Sequence, residues 1–515
     1  MNKKFTSTIA GASLFITLTG LISKGLGFIR EVIFAGSFGL SARFDVYLIG
    51  AVLPVTINTI ILYLALNYLI PAYNNITQQD ESLADDFIRM NFIVFTGGGL
   101  LLSLFLFLFA DIIIGFYLHT ASPELFITAK NVFLLYLISV PLNSAIAVLT
   151  SQHQIHMQFA PPAYSNLLVN IVVIVLVLLF AGKLSIYIIP ISFVAGSVIQ
   201  LVYLLKTSKL KISFGHLTAL KGKIAKFIPS TLVFIMLIEG LGQLYVLADR
   251  YFYSYVPQGG IAALNYANTV FLLPVSILSA ALTTAVFPKF AQYIGEGLTD
   301  KLEDLFNEGI KINFIMFVPV TVIFICYGDS VIRLIFERGK FSAGDTQLTF
   351  NALIWYSVSL VFYSAYSIVN KIVYSFQLVK QLLYITAAGI LIKIVLNFLL
   401  AEKYAQDGLA FSTSVSYMFF FFSCLLLVFR KVKFKKKNLF FSELLMQAVN
   451  AGFSVIIVKL IAGLFNTGSY SAWIEIALFL IIYIINIVLM EYSAVAIIMD
   501  MLKSFQIKKY FLKNR

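Results

Sequence analysis

The sequence predicts an all-α polytopic membrane protein with about 14 transmembrane helices. It is read as two six-helix repeats followed by two C-terminal helices. Three observations predict this class. Of the 515 residues, 60% are hydrophobic and only 12% are charged, against roughly 25% charged in soluble domains. The mean hydropathy of +0.93 is too high for a chain with one buried core in water. The apolar residues also gather into continuous runs of about 20, enough for a helix to cross a ~30 Å hydrocarbon core. A membrane barrel would instead show alternating segments of about ten residues.

The predicted spans are 8–30, 45–70, 91–116, 128–150, 159–182, 186–205, 227–248, 262–287, 309–327, 349–375, 382–401, 408–429, 443–465 and 472–497. Lys3 and Lys4 precede the first run, as in a signal peptide, but no small-residue cleavage site follows and the run is long enough to span. Basic residues set the orientation. Lys206, Lys209, Lys211, Lys221, Lys223 and Lys226 follow the sixth span. Arg430, Lys431, Lys433, Lys435, Lys436 and Lys437 follow the twelfth, and Lys503, Lys508, Lys509, Lys513 and Arg515 end the chain. The positive-inside rule places these segments, and both termini, in the cytoplasm. The loop at 328–346, with Arg333, Arg338 and Lys340, is an exception.

The chain repeats itself. Gly25-Leu26-Gly27 recurs as Gly240-Leu241-Gly242, and Leu53-Pro54-Val55-Thr56-Ile57 as Leu273-Pro274-Val275-Ser276-Ile277, at offsets of 215 and 220 residues. The second offset sets Arg30 on Arg250 and Asp45 on Asn265. The expected division is a six-helix bundle over 1–210, a second over 211–430, and two extra helices with a basic tail over 431–515. Six is even, so the halves share one orientation about an axis along the membrane normal. That is the parallel-repeat class of transporter, with substrate between the halves.

Ionisable residues inside apolar spans cost about 2.5–3.5 kcal/mol each at a helix centre and tend to mark pathways. Lys24, Arg30, Asp45, Arg250, Lys371 and Lys393 are the candidate substrate-binding residues: a cationic cavity would hold an anionic head group, with arginine suited to forked phosphate contacts. The plainer reading is that Arg30, Asp249 and Arg250 lie near helix ends and snorkel or pair locally. Glu239 and Asp249 are candidates for gating or ion coupling; Glu239 could equally neutralise Lys24, its counterpart in the repeat. Pro54 and Pro274 each remove a backbone donor within a span and are candidate bending points. Gly97-Gly98-Gly99 reads as close helix packing, and His153 and His156 as solvated loop residues.

Several classes are excluded. Cys326 and Cys424 sit in apolar runs without motif spacing, so no disulfide framework or metal site is expected. The chain has no phosphate-binding G-x-x-x-x-G-K-[ST] loop, no zinc spacing and no Ser/His/Asp constellation. No cofactor is expected; the membrane potential or a cation could drive the cycle. The net charge of +13 is concentrated beside the spans and does not point to nucleic acid. A membrane glycan polymerase would need a long outer loop bearing carboxylates, and the 328–346 loop is too short.

Particular stretches resemble a known family. Ser23-Lys24-Gly25-Leu26-Gly27-Phe28-Ile29-Arg30-Glu31, Phe38-Gly39, Phe44-Asp45 and Leu53-Pro54 resemble the opening of the MviN/MurJ lipid-linked oligosaccharide flippases, of the multidrug/oligosaccharidyl-lipid/polysaccharide exporter superfamily. So do Asp249-Arg250, Ala263-Leu264-Asn265-Tyr266-Ala267, Phe287-Pro288, and above all Leu334-Ile335-Phe336-Glu337-Arg338-Gly339-Lys340-Phe341-Ser342 with Tyr356-Ser357 and Asn370-Lys371. The resemblance covers about residues 8–430. It implies a V-shaped pair of bundles around a cationic cavity, a groove near the last two spans for a polyprenyl tail, and a polyprenyl-pyrophosphate-linked glycan as substrate, working as a monomer in the bacterial cytoplasmic membrane. By motif position Lys24 replaces a family arginine, Arg30 keeps one and Asp45 keeps the acid. The family's paired arginines after Leu-Pro in the second span are Asn58 and Thr59 here, and its Asp-Arg after Tyr-Ala in the eighth span is Asn268 and Thr269, so three family arginines are missing. The substrate is thus left open between lipid II and another polyprenyl-linked glycan such as an O-antigen or exopolysaccharide precursor. A cation-coupled multidrug exporter of the same superfamily is the remaining alternative.

Overall fold

The computed structural model describes residues 9–79, 83–119, 121–208, 230–435, 438–464 and 471–490. Every regular element among them is helical: α1 Ile9–Phe38, α2 Ala42–Gln79, α3 Ala84–Leu108, α4 Ala110–Tyr117, α5 Pro123–Leu137, α6 Ser139–Ile155, α7 Ala160–Leu184, α8 Ile188–Thr207, α9 Ser230–Tyr251, α10 Gly260–Pro274, α11 Ala280–Gly295, α12 Thr299–Phe336, α13 Ala343–Ser357, α14 Leu360–Ser375, α15 Val379–Lys431, α16 Asn438–Leu464 and α17 Ser471–Met490. The all-α expectation holds. The basic segment at 209–226, Lys436, Lys437 and the tail from 491 onward lie outside the described residues.

Among the described residues, nine helical stretches are long and apolar enough to cross a membrane, or up to ten if the bent pair Ala343–Ser357 and Leu360–Ser375 forms one span. This tally is lower than the predicted fourteen, and part of the difference is continuity. The stretch Ala160–Thr207 is 48 residues long and Val379–Lys431 is 53, and each overlies two predicted spans. At 1.5 Å per residue the longer would reach about 80 Å if straight. It is broken at Ala405 (φ 48°, ψ −131°), and the other at Ser185 (φ 51°). Helix α9 overlies the predicted seventh span and carries Glu239, Asp249 and Arg250.

The contacts divide the chain into two compact units. The first comprises residues 1–269, 335–352 and 379–412; the second comprises 270–334, 353–378 and 413–515. In the first, α2 packs on α5, α6 and α9, α1 on α7, and α7 on α8. Val46, Ile49, Phe133, Leu137 and Val140 form one buried cluster, against which Leu247 and Tyr251 of α9 rest. Small residues let these helices approach closely. A side chain at Gly50 would strike the Ala129 carbonyl, and one at Gly99 would strike Ser144, whereas Gly97 and Gly98 face open space. Only the last glycine of the predicted packing triplet therefore does that work. His153 is 2% exposed, contrary to the solvated reading; its ring lies 3.0 Å from Gln158 Oε1 and 3.2 Å from Thr207 Oγ1.

The second unit holds α11, α14, α16, α17 and most of α12. Phe271, Tyr363 and Tyr417 stack together. The Tyr483 hydroxyl of α17 donates to Gln447 Oε1 of α16 at 2.8 Å, and Lys459 pairs with Glu475 at 2.6 Å. The outer faces of α16 and α17 stay apolar and exposed, Leu460 at 68% and Leu489 at 77%, as lipid-facing surface should. Pro54 lies inside α2. Pro274 ends α10 and is followed by one π-helical turn, Val275–Ser279, a common response to a lost backbone donor.

The turn joining α12 to α13 is bound to α1 through backbone. The Lys340 amide donates to the Gly36 carbonyl at 2.8 Å. Gly339 has φ +60°, and a Cβ there would collide with that same carbonyl. Gly339→Ala is expected to destabilise the protein by about 1–3 kcal/mol, through left-handed strain plus the collision. Gly344→Ala, whose Cβ would meet only Ser342 Oγ at 3.6 Å, should be tolerated. Thermal melting in detergent compares the two.

Candidate functional site

The candidate residues of the first unit fall into three groups. Arg30 on α1 turns toward α7 and α8. Its Nη2 and Nε donate to Glu31 Oε1 at 2.8 and 3.3 Å, its Nη1 donates to Asn170 Oδ1 at 3.1 Å, and the guanidinium lies 5.0 Å from the centre of the Phe193 ring. The forked contact and the aromatic face both suit arginine over lysine. Nearby, the Tyr47 and Tyr136 hydroxyls are 3.1 Å apart. Lys24 is exposed and precedes Arg30 by six positions. At 3.6 residues per turn the two point about 120° apart, so α1 does not bring them to one place.

Asp45 forms the second group. It is fully buried. Its Oδ2 accepts from the Gly259 amide at 2.6 Å, and its Oδ1 from the Ala262 amide at 2.7 Å. The first turn of a helix leaves such amides without partners. A capping box would satisfy them from residues next in sequence; here one carboxylate on α2 caps α10, 214 residues away, where the helix dipole also favours negative charge. The junction is tight: Gly259 has φ +85°, and a Cβ there would stand 2.6 Å from the Leu40 carbonyl. Aromatic rings close over it. Phe44 stacks on Tyr266 at 5.5 Å, and Tyr266 meets Phe336 and Phe341 at 5.0 and 5.7 Å.

The third group is an ion pair. Lys393 on α15 is 1% exposed. Its ammonium donates to Asp249 Oδ2 at 2.9 Å and to the Tyr245 carbonyl at 2.8 Å, and it stands 3.6 Å from the centre of the Tyr245 ring. Asn397, one turn further along, donates to Asp249 Oδ1 at 3.0 Å. Arg250, 9% exposed, interacts electrostatically with both Asp45 and Lys393. Asp45, Arg250, Asp249 and Lys393 thus form a charge-balanced series across α2, α9 and α15.

The remaining candidates lie elsewhere. Lys371 sits on α14 and Pro274 at the end of α10, both in the second unit. Glu239 lies on α9, with its side chain outside the described residues. Glu31, Asn170, Phe193, Tyr245, Asn397 and Gly259 are site residues that the sequence does not single out. Glu31 is findable as the acid beside Arg30, and Asn397 as the polar residue four positions from Lys393 on one helix face. The other four carry no local signal.

Continuous apolar helices with paired charges between them define a polytopic membrane protein. The fold agrees. It matches the solved structure "Lipid II flippase MurJ, inward closed conformation" at TM-score 0.80 and 22% identity, over 94% of this chain and 100% of that one. It also matches an inward-facing MATE-family multidrug transporter of the MOP superfamily at TM-score 0.66 and 14% identity, over 80% and 94%. Residues 34–484 match the family model described as Lipid II flippase MurJ, and the chain belongs to that family. A probable lipid II flippase MurJ of Borreliella burgdorferi is 26% identical over 427 residues, 81% of this chain and 82% of its own. The lipid II flippase MurJ of Thermosipho africanus is 23% identical over 79% and 83%.

Proposed function

We propose that this protein carries a polyprenyl-pyrophosphate-linked glycan, lipid II or a related cell-wall precursor, across the bacterial cytoplasmic membrane by alternating access. The observation that carries this reading is the family match over residues 34–484. The halves 1–210 and 211–430 would rock about the substrate, with both termini in the cytoplasm and the monomer as working unit. Lys24 and Lys371 would supply charge to the pyrophosphate. Arg30, held by Glu31 and Asn170, would exchange an internal carboxylate for a phosphate oxygen as substrate enters. Asp45 would hold one face of the membrane shut by capping α10, and the Asp249–Lys393 pair would set the position of α9 against α15. Glu239, Pro54 and Pro274 would serve the closing movement, driven by the membrane potential or a cation. Moving one charge through 100 mV supplies roughly 2.3 kcal/mol.

Reconstitution with labelled lipid-linked glycan tests this reading. Wild-type protein should move lipid II, and Lys24→Ala and Arg30→Ala should each cut the rate at least tenfold at equal protein level. Wild-type transport in both variants would remove these residues from the site. Movement of an O-antigen-type lipid but not of lipid II would shift the substrate while keeping the class. Replacement of a depleted lipid II flippase in living cells is the companion test.

A further inference from the structure

Outside the charged groups, the first unit carries a cavity of roughly 580 Å³. One face of α1 forms its floor, through Phe28, Ile29, Val32, Ile33 and Gly36; Leu178 of α7 and the Ile335–Gly339 turn form its walls. The turn places Arg338 at one end. The Arg338 Cγ lies 3.4 Å from where a Gly36 Cβ would stand, so the missing side chain lets the arginine cross α1. Arg338 is exposed.

The dimensions point to an occupant. From Phe28 to Ser37 the groove runs about 14 Å along the helix at 1.5 Å per residue, close to half of a ~30 Å hydrocarbon core, and so to one leaflet. Ile29 and Leu178 are 49% and 63% exposed, so the groove opens where acyl chains lie. An apolar trough one leaflet deep, ending in one guanidinium, matches a diacyl phospholipid: the chain lies along α1 and the phosphodiester meets the arginine fork. A pyrophosphate-linked polyprenol carries more charge and a longer tail than this groove accommodates.

We propose that this groove is a binding site for one anionic phospholipid, with Arg338 as its phosphate ligand. It is separate from the transport site proposed above, and it would stabilise the contact of the 336–342 turn with α1. Full-length protein in nanodiscs of phosphatidylcholine, with phosphatidylglycerol added in increasing fraction, tests it through native mass spectrometry of retained lipid and through melting temperature. Wild-type protein should retain one phosphatidylglycerol through delipidation and melt higher as its fraction rises. Arg338→Gln should weaken retention roughly tenfold, the scale of one charge-assisted contact. Ile29→Trp, which fills the trough and keeps the arginine, should weaken it too. Arg43→Gln, which removes a cation whose partner is Glu124, should not. Wild-type retention in both groove variants, equal retention of phosphatidylcholine, or displacement by an equimolar polyprenyl phosphate would each overturn the assignment. Loss of retention in Arg43→Gln as well would reduce the effect to bulk surface charge and overturn it equally.

Discussion

Lys393→Met is expected to destabilise the protein by about 3–5 kcal/mol, the usual cost of removing one partner from a buried ion pair. The methionine fills most of the volume, so the loss comes from Asp249. Its carboxylate would keep only Asn397 as a donor among the contacts described above, in surroundings where an unmatched charge is poorly solvated. Lys393→Arg should also be damaging. The socket offers one carboxylate oxygen, one carbonyl and one ring face, shaped for a compact ammonium and not for a planar fork. The double variant Lys393→Met with Asp249→Leu should recover much of the loss, since no unpaired charge remains. Melting of the single and double variants closes a thermodynamic cycle. A coupling energy within about 0.5 kcal/mol of zero, the range of independent sites, would show that the pair does not hold α9 and α15 together.

Asp45→Ala should cost about 1.5–3 kcal/mol for each of the two charge-assisted hydrogen bonds lost, and should cut transport at least tenfold through failure to close α10 against α2. Asp45→Asn is the sharper variant. It keeps the size but offers one acceptor and an NH2 group where the structure has two amide donors, Gly259 and Ala262. The asparagine should therefore behave more like alanine than like aspartate. Phe44→Cys, at a position that is wholly buried, gives a direct readout: thiol labelling should be slow when Asp45 is intact and fast when Asp45→Asn is added. Equal labelling would mean that the junction stays shut without the cap. A transport defect with equal labelling would move Asp45 from closing to some other role.

The charges change meaning between sequence and structure. From the sequence, Lys24, Arg30, Arg250, Lys371 and Lys393 form a list of cations in apolar runs. In the structure, Arg30 and Lys393 each hold a carboxylate, Glu31 and Asp249. The excess positive charge is smaller than the list implies, and any anion drawn to Arg30 must compete with Glu31. The three arginines that the family resemblance implies at the positions of Asn58, Thr59 and Thr269 are absent, which points the same way. Asn58 and Thr59 are used locally, Asn58 donating to Ser139 at 2.9 Å and Thr59 to the Val55 carbonyl at 3.0 Å.

What the sequence determined by itself is what depends on neighbours along the chain. Hydropathy over about 20 residues identifies a membrane helix, and local motifs, that around Glu337-Arg338-Gly339-Lys340 the most specific of them, carry the resemblance to the family. The breaks were legible only as gaps between spans, because a left-handed residue such as Ala405 or Ser185 carries no marker when it is not glycine. The tertiary structure alone decided which charges face which. Lys393 and Asp249 are 144 residues apart and Asp45 and Gly259 are 214 apart. A buried charge takes whatever partner the packing of helices brings within about 3 Å, and no local pattern encodes that distance.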